Sequence, residues 1–233
     1  MDMDVFFAAF PDLMKGTVLT LQLVGISMLV GFAIALPVAL LRVSENPWIK
    51  ALPYAYIFFF RGTPLLVQIF IVYYGLSQFE VVRDSFLWPV LREAYWCAII
   101  AFSLNTAAYS AEILRGAIQA VPWGEVEAAR AVGMSHAMTY RRIILPRAFR
   151  ICLPAYGNEV ILMVKSSALA STITLLDLTG MARKIIAATY KPVETFAAAG
   201  LIYLVLIFLF ATFLRWLENR LHANLNPPPG MPN

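Results

Sequence analysis

Asn105, Tyr109 and Glu112 recur at i, i+4 and i+7 within an apolar run, so they fall on one stripe of one helix. Polar groups facing lipid are costly, and such a stripe is expected to face a bundle interior or a wet cavity. A second stripe carries Glu159, Met163, Ser166 and Ala170, with Asn158 and Lys165 on an adjacent one. Glu159 and Lys165 are six residues apart, which on a helix is about 120° around and about 9 Å along the axis. They are poorly placed to pair with each other, so each needs another partner. Ionisable and amide side chains of this kind inside a membrane mark substrate or ion pathways. The alternative is that Asn105 and Tyr109 simply hydrogen-bond neighbouring helices. Glu112, Glu159 and Lys165 also raise an intramembrane hydrolase, but no nucleophile–base constellation accompanies them.

The elements that carry these stripes are apolar enough to cross a membrane. Of 233 residues, 61% are hydrophobic and 14% charged, against roughly 45–50% and about 25% in soluble domains. Mean hydropathy is +0.73. The sequence predicts an all-α integral membrane protein with five spans: 18–41, 53–74 (with its continuation to 76), 96–114, 151–176 and 195–216. Whether 51–76 is one kinked span or an interfacial helix followed by a span is open, because Arg61-Gly62-Thr63-Pro64 interrupts it. Arg61 itself reads as a snorkelling anchor at the interface. Residues 1–16 are an expected outer segment, 17–222 a single membrane domain and 223–233 a Pro-rich flexible tail. The acidic amino terminus has the wrong charge for a cleavable signal peptide.

Net charge is +4, but the basic residues lie between apolar runs and do not cluster with aromatics, so positive-inside topology explains them better than nucleic acid. Ten lysines and arginines in the segments assigned inside, against six outside, place the amino terminus outside and the carboxyl terminus in the cytoplasm. Two cysteines, Cys97 and Cys152, and two histidines, His136 and His222, give no metal or redox pattern. No phosphate-binding loop, nucleotide fingerprint or nucleophile elbow is present, so a transporter of this kind must obtain its energy elsewhere.

One charged stretch separates the third and fourth spans, 124–146. Val126, Ala129 and Val132 share one helical stripe, with Glu125, Glu127 and Arg130 towards water. The small Ala128 and Ala129 permit close approach of another surface, Gly133 permits a left-handed stop, and Ser135 can cap the next helix. The spacing Glu127-Ala128-Ala129, three residues, Gly133, nine residues, then Ile-x-Leu-Pro resembles the coupling loop of ABC importer permeases. R-G-T-P-L-L-V-Q, N-T-A-A-Y-S-A-E-I-L-R-G-A-I and P-A-Y-G-N-E-V-I-L-M-V-K-S-S-A-L-A resemble the polar amino-acid uptake permeases. The likeness is strongest to the M-type subunit of histidine/lysine/arginine/ornithine transporters and their opine-uptake relatives.

That resemblance implies a type I ABC importer transmembrane subunit with about five helices and a cytoplasmic coupling helix, multi-pass in the bacterial inner membrane. It implies a homologous permease as partner (in a homodimer or heterodimer), two ATP-binding subunits, a periplasmic solute-binding protein and an amino-acid substrate, with membrane lipid around the bundle and no nucleic acid. No cofactor is expected in this chain; ATP and Mg would be bound by the partner ATPase. Contacts to the ATPase carry over to Glu127, Ala128, Ala129 and Gly133. Candidates for the substrate pathway are Asn105, Tyr109, Glu112, Glu159 and Ser166, with Lys165 only if it meets the α-carboxylate. An acidic stripe suits a basic amino acid: Glu112 or Glu159 would hold a cation while Ser166 or a span amide bonds the carboxylate. An ion-coupled secondary carrier, or the same permease with a neutral or acidic substrate, is the alternative.

Overall fold

The computed structural model describes residues 3–222; the expected tail at 223–233 lies outside them. A short helix α1 (Met3–Ala8) leads into α2 (Phe10–Val43), so residues 10–16 of the expected outer segment are continuous with the first long helix. Asn46 caps α3 (Pro47–Gly62), its Oδ1 accepting the Trp48 N–H at 3.0 Å. Extended backbone at Thr63 and Pro64 then ends α3 and starts α4 (Leu65–Phe70), which continues through a π turn (Ile71–Gly75) and a 3-10 turn (Leu76–Gln78). Two short helices, α5 (Glu80–Arg83) and α6 (Trp88–Leu91), fill the loop before α7 (Ala94–Gln119).

The charged stretch forms α8 (Trp123–Ala131) and the single turn α9 (His136–Thr139). A π turn (Tyr140–Ile144) then joins α9 to α10 (Leu145–Ser166). Pro146 sits in the first turn of α10, where a missing N–H is tolerated. The chain tightens into a 3-10 segment (Ser167–Ile173) and bends into α11 (Leu178–Thr189), whose amino end is capped by Asp177. The last helix, α12 (Pro192–His222), is the most exposed of the long ones.

Among the described residues α2, α7 and α12 are each long and apolar enough to span a membrane. Two bent pairs, α3 with α4 (105°) and α9–α10 with α11 (48°), bring the number to five if each is one span. The pattern-based expectation of about five spans is thus met only if broken helices count as crossings.

α7 is the centre of the bundle. Its alanine- and serine-rich sequence lets α2, α3, α4 and α10 pack around it, and 72% of its most apolar window is buried. The α2–α7 contact is closest at Gly31, where an added Cβ would collide with Thr106 Cγ2 and lie 3.1 Å from the Ser103 carbonyl oxygen. Phe102, Leu23, Ile69 and Val164 fill the core on one side of this contact. Ala108, Ala111, Leu114 and Ala148 fill it nearer α8.

Candidate functional site: a polar cavity and an exposed corner

The break between α3 and α4 exposes backbone groups that an apolar surround would leave unsatisfied. Gln68, one turn into α4, closes them: its Nε2 donates to the Phe60 carbonyl at 2.9 Å and to Thr63 Oγ1 at 2.7 Å. Asn105 on α7 donates in turn to Gln68 Oε1 at 2.9 Å and to the Phe60 carbonyl at 3.3 Å. Asn105 and Gln68 are both buried, at 7% and 3% exposure. Together they fix the bend to the central helix. Asn105 therefore does the work of an interhelical tie at the wall of the site.

Against this bend lies a cavity of about 440 Å³ lined by Arg61, Thr63, Asn105, Tyr109, Glu159, Met163 and Ser166. Of the substrate-pathway candidates, the structure brings together Asn105, Tyr109, Glu159 and Ser166. Glu159 is 6% exposed, and Thr106 Oγ1 donates to its Oε1 at 3.0 Å. Among the described residues Thr106 is its one hydrogen-bond partner, and no basic side chain stands within ion-pair distance. A buried carboxylate so sparsely satisfied has the chemistry to accept a cation.

Glu112 is differently placed. It lines a second cavity of about 330 Å³ with Arg42, Tyr54, Arg61 and Tyr109. Arg115 grips it from one turn away, Nε reaching both carboxylate oxygens at 3.1 Å and Nη2 reaching Oε2 at 2.9 Å. Arg42 Nε adds a contact at 3.8 Å. Glu112 is already neutralised. Lys165 is exposed and lines neither cavity; it shares a helix with Glu159 but faces away from the space Glu159 lines.

Arg61, which the sequence reads as an interface anchor, belongs to both cavities. Its guanidinium lies over the Tyr109 ring, 5.2 Å from the centroid. The 105° bend turns the end of α3 towards the cavity, and that bend is not visible in hydropathy. Gln68 was also missed, although a polar residue following a Thr-Pro break in an apolar run was the available signal.

At the other end of the chain's polar surface, α8 presents a corner. Val126 and Ala129 are buried against the bundle, while Glu127, Ala128 and Arg130 face outward. The expected close-approach surface is thus Ala128 without Ala129, and Val132 is exposed at 74% in place of continuing the buried stripe. Trp123 is tied to this face: its Nε1 donates to Glu127 Oε1 at 2.8 Å and Arg130 sits 5.3 Å from its ring centroid. Gly133 takes φ +81°, with its N–H donating to the Arg130 carbonyl at 2.9 Å and Met134 N–H to the Ala129 carbonyl at 3.1 Å. That is the Schellman stop, which needs a left-handed residue at this position. Ser135 Oγ accepts the Met138 N–H at 3.4 Å and starts the next turn.

The structure thus combines a polar cavity at a helix break with an outward corner built from the Glu-Ala-Ala–Gly spacing. The family described as binding-protein-dependent transport system inner membrane component matches residues 27–223. This chain belongs to that family. The permease is 56% identical over 209 residues to the octopine transport system permease protein OccM of Rhizobium meliloti, covering 90% of this chain and 85% of the relative. It is 49% identical over 230 residues to the nopaline transport system permease protein NocM of Agrobacterium fabrum, covering 97% and 95%. To the histidine/lysine/arginine/ornithine transport system permease protein HisM of Escherichia coli K12 it is 45% identical over 213 residues, covering 91% and 90%.

Among solved structures, an amino acid ABC transporter crystallised with histidines superposes with TM-score 0.84 at 37% identity, covering 94% of this chain and 99% of that one. An inward-facing MetNI methionine ABC transporter chain shares the fold with TM-score 0.75 at 20% identity, covering 90% and 96%. The all-α, type I importer architecture expected from the sequence is the one observed, and the permease is the inner-membrane component of a transport complex.

Proposed function

We propose that this permease carries basic amino acids, or opines built on them, inward across the bacterial inner membrane, with Glu159 as the anchor for the substrate's cation. The observation that carries this reading is the contrast between the two carboxylates. Glu159 lines the larger cavity with one hydroxyl as its partner, while Glu112 is held by Arg115 and Arg42. Arg61 at the same cavity wall supplies the complementary charge for an α-carboxylate, and Ser166 a hydrogen bond. The relatives' names, octopine, nopaline and histidine/lysine/arginine/ornithine, belong to amino-acid cargo with a basic group or its derivative.

The chain itself does not hydrolyse ATP in this account. A homologous permease, as a second copy or a related chain, completes the pore; two ATPase subunits bind ATP and Mg on the cytoplasmic side; and a periplasmic binding protein delivers substrate. The exposed face of α8, with Glu127, Ala128 and the Gly133 stop, seats in the ATPase, so the amino terminus is outside and the carboxyl terminus in the cytoplasm. Closure of the ATPase dimer on ATP draws α8 with it. Because the Schellman stop fixes α8 to α9 and α10, the movement reaches the helix that carries Glu159. Hydrolysis lets the assembly return.

The substrate class is tested by reconstituting both permease chains with the two ATPase subunits and the binding protein in proteoliposomes and comparing uptake of arginine, lysine, ornithine, histidine and octopine with that of leucine and glutamate. The expected result is uptake of the cationic or opine set. Preferred uptake of leucine or glutamate contradicts the assignment.

A further inference from the structure

The second cavity is not explained by capture of a cation. It shares Arg61, Gly62 and Tyr109 with the first, so the Arg61–Tyr109 pair stands where the two spaces meet. It lies nearer α8: Glu112 follows Asn105 by seven residues on α7, about 10 Å along the helix, and Arg42 is one residue from the end of α2. Its charge balance differs from the first cavity's. Arg42 and Arg61 line it against Glu112, which Arg115 also holds, whereas Arg61 and Glu159 are the charged residues lining the first.

The guanidiniums also differ in how far they are engaged. Arg115 is committed to Glu112, with a further bond from Nη1 to Gln119 Oε1 at 2.6 Å. Arg42 lies 4.8 Å over the Tyr54 ring and 3.8 Å from Glu112, and its buried Nε makes no hydrogen bond. Arg61 has the Tyr109 face as its contact. Two cations with unused donors thus border an empty space of about 330 Å³, within the roughly 300–1,000 Å³ of ligand cavities.

We infer that this compartment is a release site that receives the substrate's α-carboxylate on Arg42 after it leaves Arg61, so that a basic amino acid departs carboxylate first. The inference rests on the cation anchor proposed at Glu159. A net positive compartment attracts the carboxylate and repels the cationic side chain, so the substrate is drawn forward but not retained. Weak binding at this point favours exit over return. Rotation of Arg61 off the Tyr109 ring opens the passage between the two cavities.

The test uses the reconstituted complex with its ATPase and binding protein, with arginine as probe and uptake normalised to the amount of inserted complex. Arg42→Gln is expected to lower maximal uptake about tenfold while leaving the arginine concentration for half-maximal ATPase stimulation unchanged, because capture precedes release. Arg42→Lys is expected to restore most of the rate. If Arg42 merely neutralises Glu112, the double variant Arg42→Gln/Glu112→Gln recovers wild-type uptake; the inference requires that it does not. Wild-type uptake by Arg42→Gln, or recovery in the double variant, overturns the release site. Glu159→Gln is run alongside: normal uptake by that variant overturns the anchor itself, whereas loss there with normal Arg42→Gln uptake overturns only the release site.

Discussion

Beside Glu159 the amides and carbonyls of the helix break are tied up inside the chain, whereas at the Trp123–Gly133 corner polar and apolar groups face outward. Gln68 and Asn105 tie the helix break to α7, and Tyr56 adds a bond from its hydroxyl to the Leu104 carbonyl at 2.6 Å. The result is a pre-ordered wall with one sparsely satisfied carboxylate in it. α8 in contrast exposes Glu127, Ala128, Trp123 at 61% and Val132 at 74%. Its internal contacts, Trp123 to Glu127 and Arg130 over Trp123, shape that face without covering it. In the proposed reading the first region receives the substrate's cation and the second an ATPase surface, so cargo and force enter at different places, joined through the Gly133 stop and α10.

The comparison can be broken most severely at Glu159. Glu159→Gln removes the charge without changing shape, and loss of a charge-assisted contact of ~1.5–3 kcal/mol lowers uptake roughly 10- to 100-fold while basal ATP hydrolysis persists. Transport assays in proteoliposomes read this directly. Asn105→Ala is next. It leaves Gln68 Oε1 without its donor beside the helix break, at a cost of ~1–3 kcal/mol, measured as a lower thermal unfolding midpoint of the purified complex.

Gly133→Val sharpens the other side of the comparison. A Cβ there meets nothing within 4 Å, so the penalty is in the backbone: φ +81° disfavours a β-branched residue by about 1–2 kcal/mol. The α8–α9 corner loosens, and less uptake is obtained per ATP hydrolysed. Lys165→Gln has the smallest effect, within about 0.5 kcal/mol and less than about threefold in uptake, because Lys165 lies outside both cavities.

Much of the fold is legible in apolar runs, since membrane helices are long and their composition is extreme. α2, α7 and α12 follow directly from hydropathy. The stripe of Asn105, Tyr109 and Glu112 was legible as inward-facing, yet periodicity alone does not say that it runs along two separate cavities. Glu112 and Glu159 look equivalent in one dimension; only the positions of Arg115 and Arg42 separate them. Arg61 was legible only in part: hydropathy does not show the 105° bend after α3, which leaves its exposed side chain at the edge of both cavities. At the corner, the Gly133 stop and the Ser135 cap were both legible because each depends on local backbone chemistry. The shared stripe of Val126 and Ala129 was legible from spacing, but the exposure of Val132 was not, because α8 ends at Ala131.

Uptake and ATP hydrolysis measured together in the same proteoliposomes test the division between cargo and force most directly. The account predicts that Glu159→Gln loses uptake and the arginine-stimulated increment of hydrolysis but keeps the basal rate. It predicts that Gly133→Val keeps hydrolysis while its ratio of arginine moved to ATP consumed falls. Wild-type uptake by Glu159→Gln, or an unchanged ratio in Gly133→Val, contradicts it.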